Sequence, residues 1–191
     1  CVGDIGLRQL HPSYLQVIVD ALNTDTEPDS TVVASLGPSG CLEESLPYGP
    51  VYIANSQSMS AWCTLAEERI RRSDDPLIAV DLEGDLRATG KLELVQLCVE
   101  PSAGMPACIA VLDYQLFPDC LSETSPVRAW LQSSSITKTF HNATNDCTCL
   151  YWICGITVRC LFDTVVGDSL ARGVKHKTAR GLEVVVYEYT G

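Results

Sequence analysis

Residues 76–84 place two carboxylates at the end of an apolar run, and this pattern constrains the chain more than any other. Residues 77–82 read Leu-Ile-Ala-Val-Asp-Leu, which predicts a buried strand. Side chains alternate between the two faces of a strand, so Asp81 and Glu83 are predicted to project from the same face. Two close carboxylates raise one another's pKa unless a cation lies between them, and Mg²⁺ or Mn²⁺ is the usual solution. A strand that ends in a polar turn is the alternative.

A second acidic segment, residues 137–150, is typical of a short strand that runs into a helix. Asp146 falls in the first turn of that helix, where unpaired backbone N–H groups and the helix dipole favour negative charge. Helix capping therefore accounts for Asp146, and for Asn145 beside it, when the segment is considered alone. The two acidic segments follow one another in order, with residues 160–170 after them, and together they favour the metal-site interpretation.

Strands and helices alternate along residues 51–189. Gly84 and Gly90 bound a short connection, which predicts a hairpin and one antiparallel pair. The later alternation predicts an α/β fold with a mixed, mostly parallel sheet covered on both faces, and ligands bind such sheets outside the carboxyl ends of the parallel strands. The predicted strands are residues 51–54, 77–82, 92–99, 109–113, 137–141 and 159–162, and the predicted helices are residues 57–71, 126–132, 145–153, 165–171 and 182–189.

Five segments carry a family resemblance: residues 80–84 (Val-Asp-Leu-Glu-Gly), residues 91–97 (Lys-Leu-Glu-Leu-Val-Gln-Leu), His141 with Asp146 five residues on, residues 161–164, and residues 181–187. In order and spacing they resemble the DEDD superfamily of 3′-5′ exonucleases, and within it the ribonuclease D-like domains of the Egalitarian-like branch. The resemblance covers roughly residues 50–191. It implies a ribonuclease H-like three-layer fold.

The resemblance also implies an activity, namely hydrolysis of RNA or single-stranded DNA from the 3′ end by a two-metal mechanism with Mg²⁺ or Mn²⁺. It implies that Asp81 bridges both ions, that Glu83 ligates the ion that activates water, and that Asp146 holds the other ion. His141 is expected either to hydrogen-bond locally or to act on the substrate. Asp163 is expected to cap the helix that starts near residue 165 and could support the metal ligands.

One part of the family pattern is missing from the sequence. The third motif of the family supplies a fourth metal-binding Asp, preceded by a Tyr or His that positions water. No Asp follows Asp168, and neither Tyr187 nor Tyr189 has an Asp four residues downstream. Two expectations follow: a fragment cut short of that motif, or a non-catalytic domain that binds RNA or protein within a ribonucleoprotein complex.

The charge of the chain gives a test of nucleic-acid binding. The net charge is -11, which disfavours nonspecific binding to phosphate. Residues 1–50 hold seven acids and one base, and residues 51–191 hold seventeen acids and twelve bases. RNA is favoured over DNA as the partner by the resemblance. The basic cluster that could contact a nucleic-acid backbone, with a solvated loop as the alternative, consists of Arg172, Lys175, Lys177 and Arg180, with His176 among them.

The organisation predicted for the chain is an N-terminal helix and acidic linker over residues 1–50, followed by one exonuclease-like domain over residues 51–191. Residues 12–22 show helical spacing, and residues 23–50 are rich in Ser, Pro, Gly and acids. The apolar stretches are interrupted well short of the ~20 residues that span a bilayer. A soluble intracellular protein is therefore expected.

The chain contains 10 cysteines, four of them between residues 147 and 160. Structural zinc sites favour paired ligands two to four residues apart, whereas Cys147 and Cys149 have one residue between them, and Cys154 and Cys160 have five. Simple burial is the plainer expectation for Cys149 and Cys154, because free cysteine is commonly found in protein cores.

Overall fold

The computed structural model describes residues 50–100, 105–174 and 179–190. The predicted helix at 12–22 and the linker up to residue 49 lie outside the described residues. The elements are β1 (Val51–Ile53), α1 (Ser56–Arg72), β2 (Leu77–Asp85), β3 (Lys91–Val99), β4 (Cys108–Asp113), a short 3-10 helix (Pro118–Leu121), α2 (Pro126–Gln132), β5 (Thr137–Phe140), α3 (Thr144–Cys154), β6 (Leu161–Asp163), α4 (Thr164–Ala171) and α5 (Leu182–Thr190).

The described strands form a six-stranded sheet in the order β1-β4-β3-β2-β5-β6. Strand β3 runs antiparallel to β2 and β4. The other neighbouring pairs are parallel. The hairpin between β2 and β3 supplies the antiparallel strand, and helical crossovers supply the parallel ones. The prediction of an α/β fold with a mixed, mostly parallel sheet is confirmed.

Helix α1 packs against strands β1, β3 and β4, and helix α3 packs against β3, around one hydrophobic core. Ile78, Val80 and Leu82 of β2 alternate into this core. Trp62 of α1 meets Trp130 of α2 edge-on, with ring centroids 5.7 Å apart. Because strand side chains alternate, the residues between the three buried ones on β2 point to the opposite face.

Backbone conformation explains where two strands stop short of the predicted limits. Strand β5 ends at Phe140 rather than at His141, and β6 begins at Leu161 rather than at Arg159. Asn142 has φ 62° and Cys160 has φ 51°, and a residue in the left-handed region cannot continue a strand. The sequence pattern marked the apolar runs but not these two turns.

Asn55 sets the start of α1, one residue earlier than predicted. Its side-chain oxygen accepts a hydrogen bond from Ser58 N at 2.9 Å, which satisfies a free N–H of the first turn. Within the described ranges, no helix combines the length and the apolar character needed to cross a bilayer.

Candidate metal centre at strand β2

The acidic residues predicted from two separate segments meet where β5 parts from β2. Pairing of β2 with β5 runs from Leu77 to Ala79. Beyond that point β5 turns away, and Asp146, which is buried, accepts a hydrogen bond from Leu82 N at 3.2 Å through Oδ1. This bond places the Asp146 carboxylate against the β2 residue that separates Asp81 from Glu83.

The surroundings of Asp81 and Asp146 disfavour the charged forms of their carboxyl groups. Burial, the Asp146 carboxylate and the Glu83 carboxylate together raise the pKa of Asp81 to about 6. Burial also raises the pKa of Asp146, although its own backbone N–H and that of Leu82 oppose the shift. Among the described residues, no Lys or Arg forms an ion pair with any of the three acids. Within residues 50–100, 105–174 and 179–190, the cluster therefore has no ion-paired counter-charge.

The donor set fits a divalent ion in its chemistry, because Mg²⁺ and Mn²⁺ prefer carboxylate oxygens. The three carboxylates do not converge on one point in the structure. In the part of the chain that the structure describes, no three His, Cys, Asp or Glu side chains are already gathered around one point. Asp81 is partly buried, whereas Glu83 is exposed. A bound cation would have to draw the Glu83 carboxylate inward.

Asp146 lies in the first turn of helix α3, as the alternative interpretation expected, but it is not the cap residue itself. The residue at the cap position is Ala143, which has no side-chain cap bond. The carboxylate of Asp146 accepts one bond from its own backbone N–H in that turn and one from Leu82 N of β2, and Asn145 is exposed. First-turn capping therefore describes one contact of Asp146, and the contact with β2 is the second.

Asp163 caps helix α4, as predicted, by accepting a hydrogen bond from Val165 N at 2.9 Å. The same carboxylate accepts bonds from Asn142 N and Ala143 N, each at 3.0 Å. It thus joins the turn before α3 to the start of α4, a role that sequence reasoning missed. Because that turn leads into Asp146, Asp163 helps to hold the acidic cluster in place.

His141 has hydrogen-bond partners well away along the chain rather than in its own turn. Its Nδ1 lies 2.7 Å from Thr164 Oγ1. The backbone carbonyl of Arg180 accepts a second bond from the ring, and burial lowers the pKa of the imidazole below its usual value. The ring therefore links the turn after β5 to α4 and to the segment before α5. A role for His141 toward substrate stays a prediction.

Comparison with known proteins identifies the family. Residues 50–191 match the family model described as 3′-5′ exonuclease. The chain belongs to this family of exonuclease domains. No curated protein sequence matches it. The match supports a nuclease of the DEDD exonuclease superfamily, and this class generally depends on divalent metal ions.

Solved structures agree with the exonuclease fold. RNase D of Escherichia coli has a TM-score of 0.52 and 20% identity over 73% of this chain and 33% of that one. RNase D of Trypanosoma brucei, in a complex with GMP, has a TM-score of 0.52 and 19% identity over 64% of this chain and 35% of that one. The aligned part therefore spans about a third of the length of these structures. At such identities the likeness shows the ribonuclease D-like fold alone.

The basic cluster of the exonuclease domain is only partly described. Arg172 Nε lies 2.9 Å from Asp168 Oδ2, and Arg180 also pairs with Asp168. The Asp168 side chain is fully buried, and the two guanidinium groups lower the pKa of its carboxyl well below the usual range. Arg180 thus ties α4 to the segment before α5, whereas Arg172 pairs with an acid of its own helix. Lys175, His176 and Lys177 lie outside the described residues, and contact of the cluster with nucleic acid stays a prediction.

Several other cations of the exonuclease domain bind backbone carbonyls. Arg69 Nε donates to Pro106 O at 2.8 Å, and Arg128 Nη1 donates to Cys154 O at 2.8 Å. The buried Lys138 donates to Ile136 O at 2.7 Å, and burial lowers its pKa. These positive charges serve the fold, so the charge count of the sequence overstates what is available to phosphate.

The eight described cysteines are free thiols. Cys149 is fully buried and Cys154 packs against the core, in agreement with the burial expected for both. Burial raises the pKa of the Cys149 thiol to about 11, so it stays protonated near neutral pH.

Proposed function

We propose that this chain carries a metal-dependent 3′-5′ exonuclease that hydrolyses phosphodiester bonds of RNA or single-stranded DNA, with RNA favoured. Within the family we place it with the ribonuclease D-like domains of the Egalitarian-like branch. The observation that carries the proposal is the Asp146 Oδ1 to Leu82 N bond, which brings carboxylates from two distant segments together with no ion-paired Lys or Arg among the described residues. Such crowding is characteristic of sites whose counter-charge is a bound ion.

The residues that would hold Mg²⁺ or Mn²⁺ are Asp81, Glu83 and Asp146. Two such ions supply the nucleophile by lowering the pKa of a bound water, and they stabilise the attacking and leaving oxygens. Asp81 is the central ligand, because its partly buried charge is costly without a cation. Asp146 is held in place by two backbone N–H donors. Glu83, which is exposed at the mouth of the site, completes the set when a cation draws it inward.

A non-catalytic domain that binds RNA or protein in a ribonucleoprotein complex is the second candidate. One observation favours it: the net charge is -11, which disfavours nonspecific binding to the phosphate backbone. Folded protein that binds Mn²⁺ but leaves oligonucleotides intact supports this candidate over the enzyme.

We further propose residues 51–191 as one exonuclease-like domain and residues 1–50 as an acidic appendage to it. The family match, which begins at residue 50, supports this boundary. We propose an intracellular location for the protein, where reducing conditions keep cysteines as thiols.

The proposal is tested with 5′-labelled single-stranded RNA and DNA oligonucleotides, because a ladder shortened from the 3′ end reports both cleavage and direction. We expect cleavage with Mg²⁺ or Mn²⁺ and none in EDTA. Asp81→Ala is expected to abolish cleavage, by at least about a hundredfold, because a lost metal ligand removes several kcal/mol of transition-state stabilisation.

Asp74→Ala is the matched control, since Asp74 is an exposed acid in the turn before β2. This variant should cleave like the wild type. Cleavage without metal, or unchanged cleavage by Asp81→Ala, rejects the proposed function.

A further inference from the structure

Gln96 on strand β3 lies beside the acidic residues. It is the cross-strand partner of Asp81, so the two side chains project from the same face of the sheet. Along β3 its neighbours on that face are Leu94 and Cys98. A partly buried amide between two apolar side chains costs free energy unless it is hydrogen-bonded, so the partner of Gln96 indicates its role.

That partner is Glu83, the exposed acid of the site. Gln96 Nε2 donates to Glu83 Oε1 at 3.4 Å. This distance is longer than the roughly 2.7–3.2 Å usual for an N–H···O hydrogen bond, and bonds of catalytic groups often tighten only when ligands bind. The amide therefore reaches one oxygen of the carboxylate that a cation would have to draw inward.

The chemical type of the side chain at position 96 matters for the charge of the site. A lysine or arginine there would neutralise the carboxylates permanently and would compete with a bound cation. An apolar residue would leave the Glu83 carboxylate without an orienting donor. Glutamine donates a hydrogen bond but adds no charge, so it can orient Glu83 and preserve the negative potential that attracts a divalent ion.

We infer that Gln96 is a positioning residue that orients the Glu83 carboxylate toward a bound divalent cation, an inference that rests on the proposed function. Groups that orient metal ligands through hydrogen bonds typically change metal affinity or activity by 10–100-fold when removed. Gln96 affects the bound cation through its hydrogen bond to Glu83.

The test is calorimetric titration of Mn²⁺ into the full chain without nucleic acid. We expect Gln96→Leu and Gln96→Met to raise the Kd for Mn²⁺ by about tenfold. The thermal unfolding temperature of the metal-free protein should stay within about 2 °C of the wild type, because a purely structural role would move that temperature instead. In the cleavage assay, excess Mn²⁺ should restore the rate of both variants.

Gln57→Leu is the matched control, since Gln57 is exposed near the start of α1 and the same amide is lost there. It should leave the Kd unchanged. If the Gln96 variants bind Mn²⁺ like the wild type while Asp81→Ala does not, the role of Gln96 is rejected and the metal site stands. If Asp81→Ala also binds normally, or the wild type binds no Mn²⁺, the metal site and with it the proposed function are rejected.

Discussion

Asp81→Asn is expected to stabilise the metal-free protein while it abolishes cleavage. The folded state raises the pKa of Asp81 from 3.8 to about 6 through burial and through the neighbouring Asp146 and Glu83. A raised carboxyl pKa means that the charged form is disfavoured by folding, at up to about 1.4 kcal/mol per pH unit. Removing this charge should raise the free energy of unfolding by about 2 kcal/mol near pH 7.5 in EDTA.

The pH dependence of this gain has a definite sign. Between about pH 4 and pH 6 the folded state binds the Asp81 proton more tightly than the unfolded state, so wild-type stability falls as pH rises through that window. Above about pH 6 the folded state bears the full free-energy cost of the charged Asp81 carboxylate, and below about pH 4 this cost is absent. The advantage of Asp81→Asn should therefore be largest at pH 7.5 and should shrink toward pH 4.

Urea denaturation of both proteins at several pH values measures this difference. Asp74→Asn serves as the control, because it removes an exposed acid in the turn before β2 and should change stability little at any pH. A destabilised Asp81→Asn protein at pH 7.5 would show that the acidic cluster does not carry the electrostatic cost inferred from its geometry.

Gly84→Ala is expected to lower the free energy of unfolding by about 2–4 kcal/mol, because it forces a side chain into the β2–β3 hairpin. The register shifts between Glu83 and Gly84, where Gly84 adopts φ 131°. A Cβ atom there would lie 2.3 Å from the backbone oxygen of Lys91 and 3.0 Å from Glu93 N. The bulge follows Glu83 directly, so the same change should also weaken Mn²⁺ binding. Thermal or urea unfolding measures the first effect.

Gly173→Ala measures the cost of a left-handed φ at a position without a clash. Gly173 has φ 64°, and a Cβ atom built there meets no atom of the described residues within 4 Å. The free energy of unfolding should then fall by only about 1 kcal/mol, the cost of the left-handed conformation for alanine. Equal losses in the two variants would contradict a packing role for the bulge at Gly84.

Secondary structure was largely predictable from the sequence, because each element carries its own periodicity or breaker. Helix α2 matches its predicted limits, Pro126–Gln132, since proline favours the first turn and Ser125 caps it. Strand β2 extends three residues beyond its prediction, to Asp85, because pairing with β3 continues past the bulge. The apolar pattern of one strand does not predict how far that strand pairs, because the pairing also depends on the partner strand.

The candidate site was predictable in its residue types but not in its contacts. The spacing of Asp81 and Glu83 indicated a shared face, whereas the contact of Asp146 with Leu82 depends on where β5 leaves the sheet. The pairing of Arg172 with Asp168 gives one member of the basic cluster a structural partner that the sequence analysis did not predict. An i,i+4 acid–base spacing on a helix was the available signal for that pair.

The most direct test is a crystal structure of the protein soaked in Mn²⁺, with anomalous diffraction data to locate the ion. We expect anomalous density within about 2.5 Å of carboxylate oxygens from Asp81 and Asp146, with Glu83 turned toward it. A metal centre at strand β2 would be contradicted by anomalous density elsewhere in the protein. It would also be contradicted if the soaked crystal showed no anomalous density and the three carboxylates kept their metal-free positions.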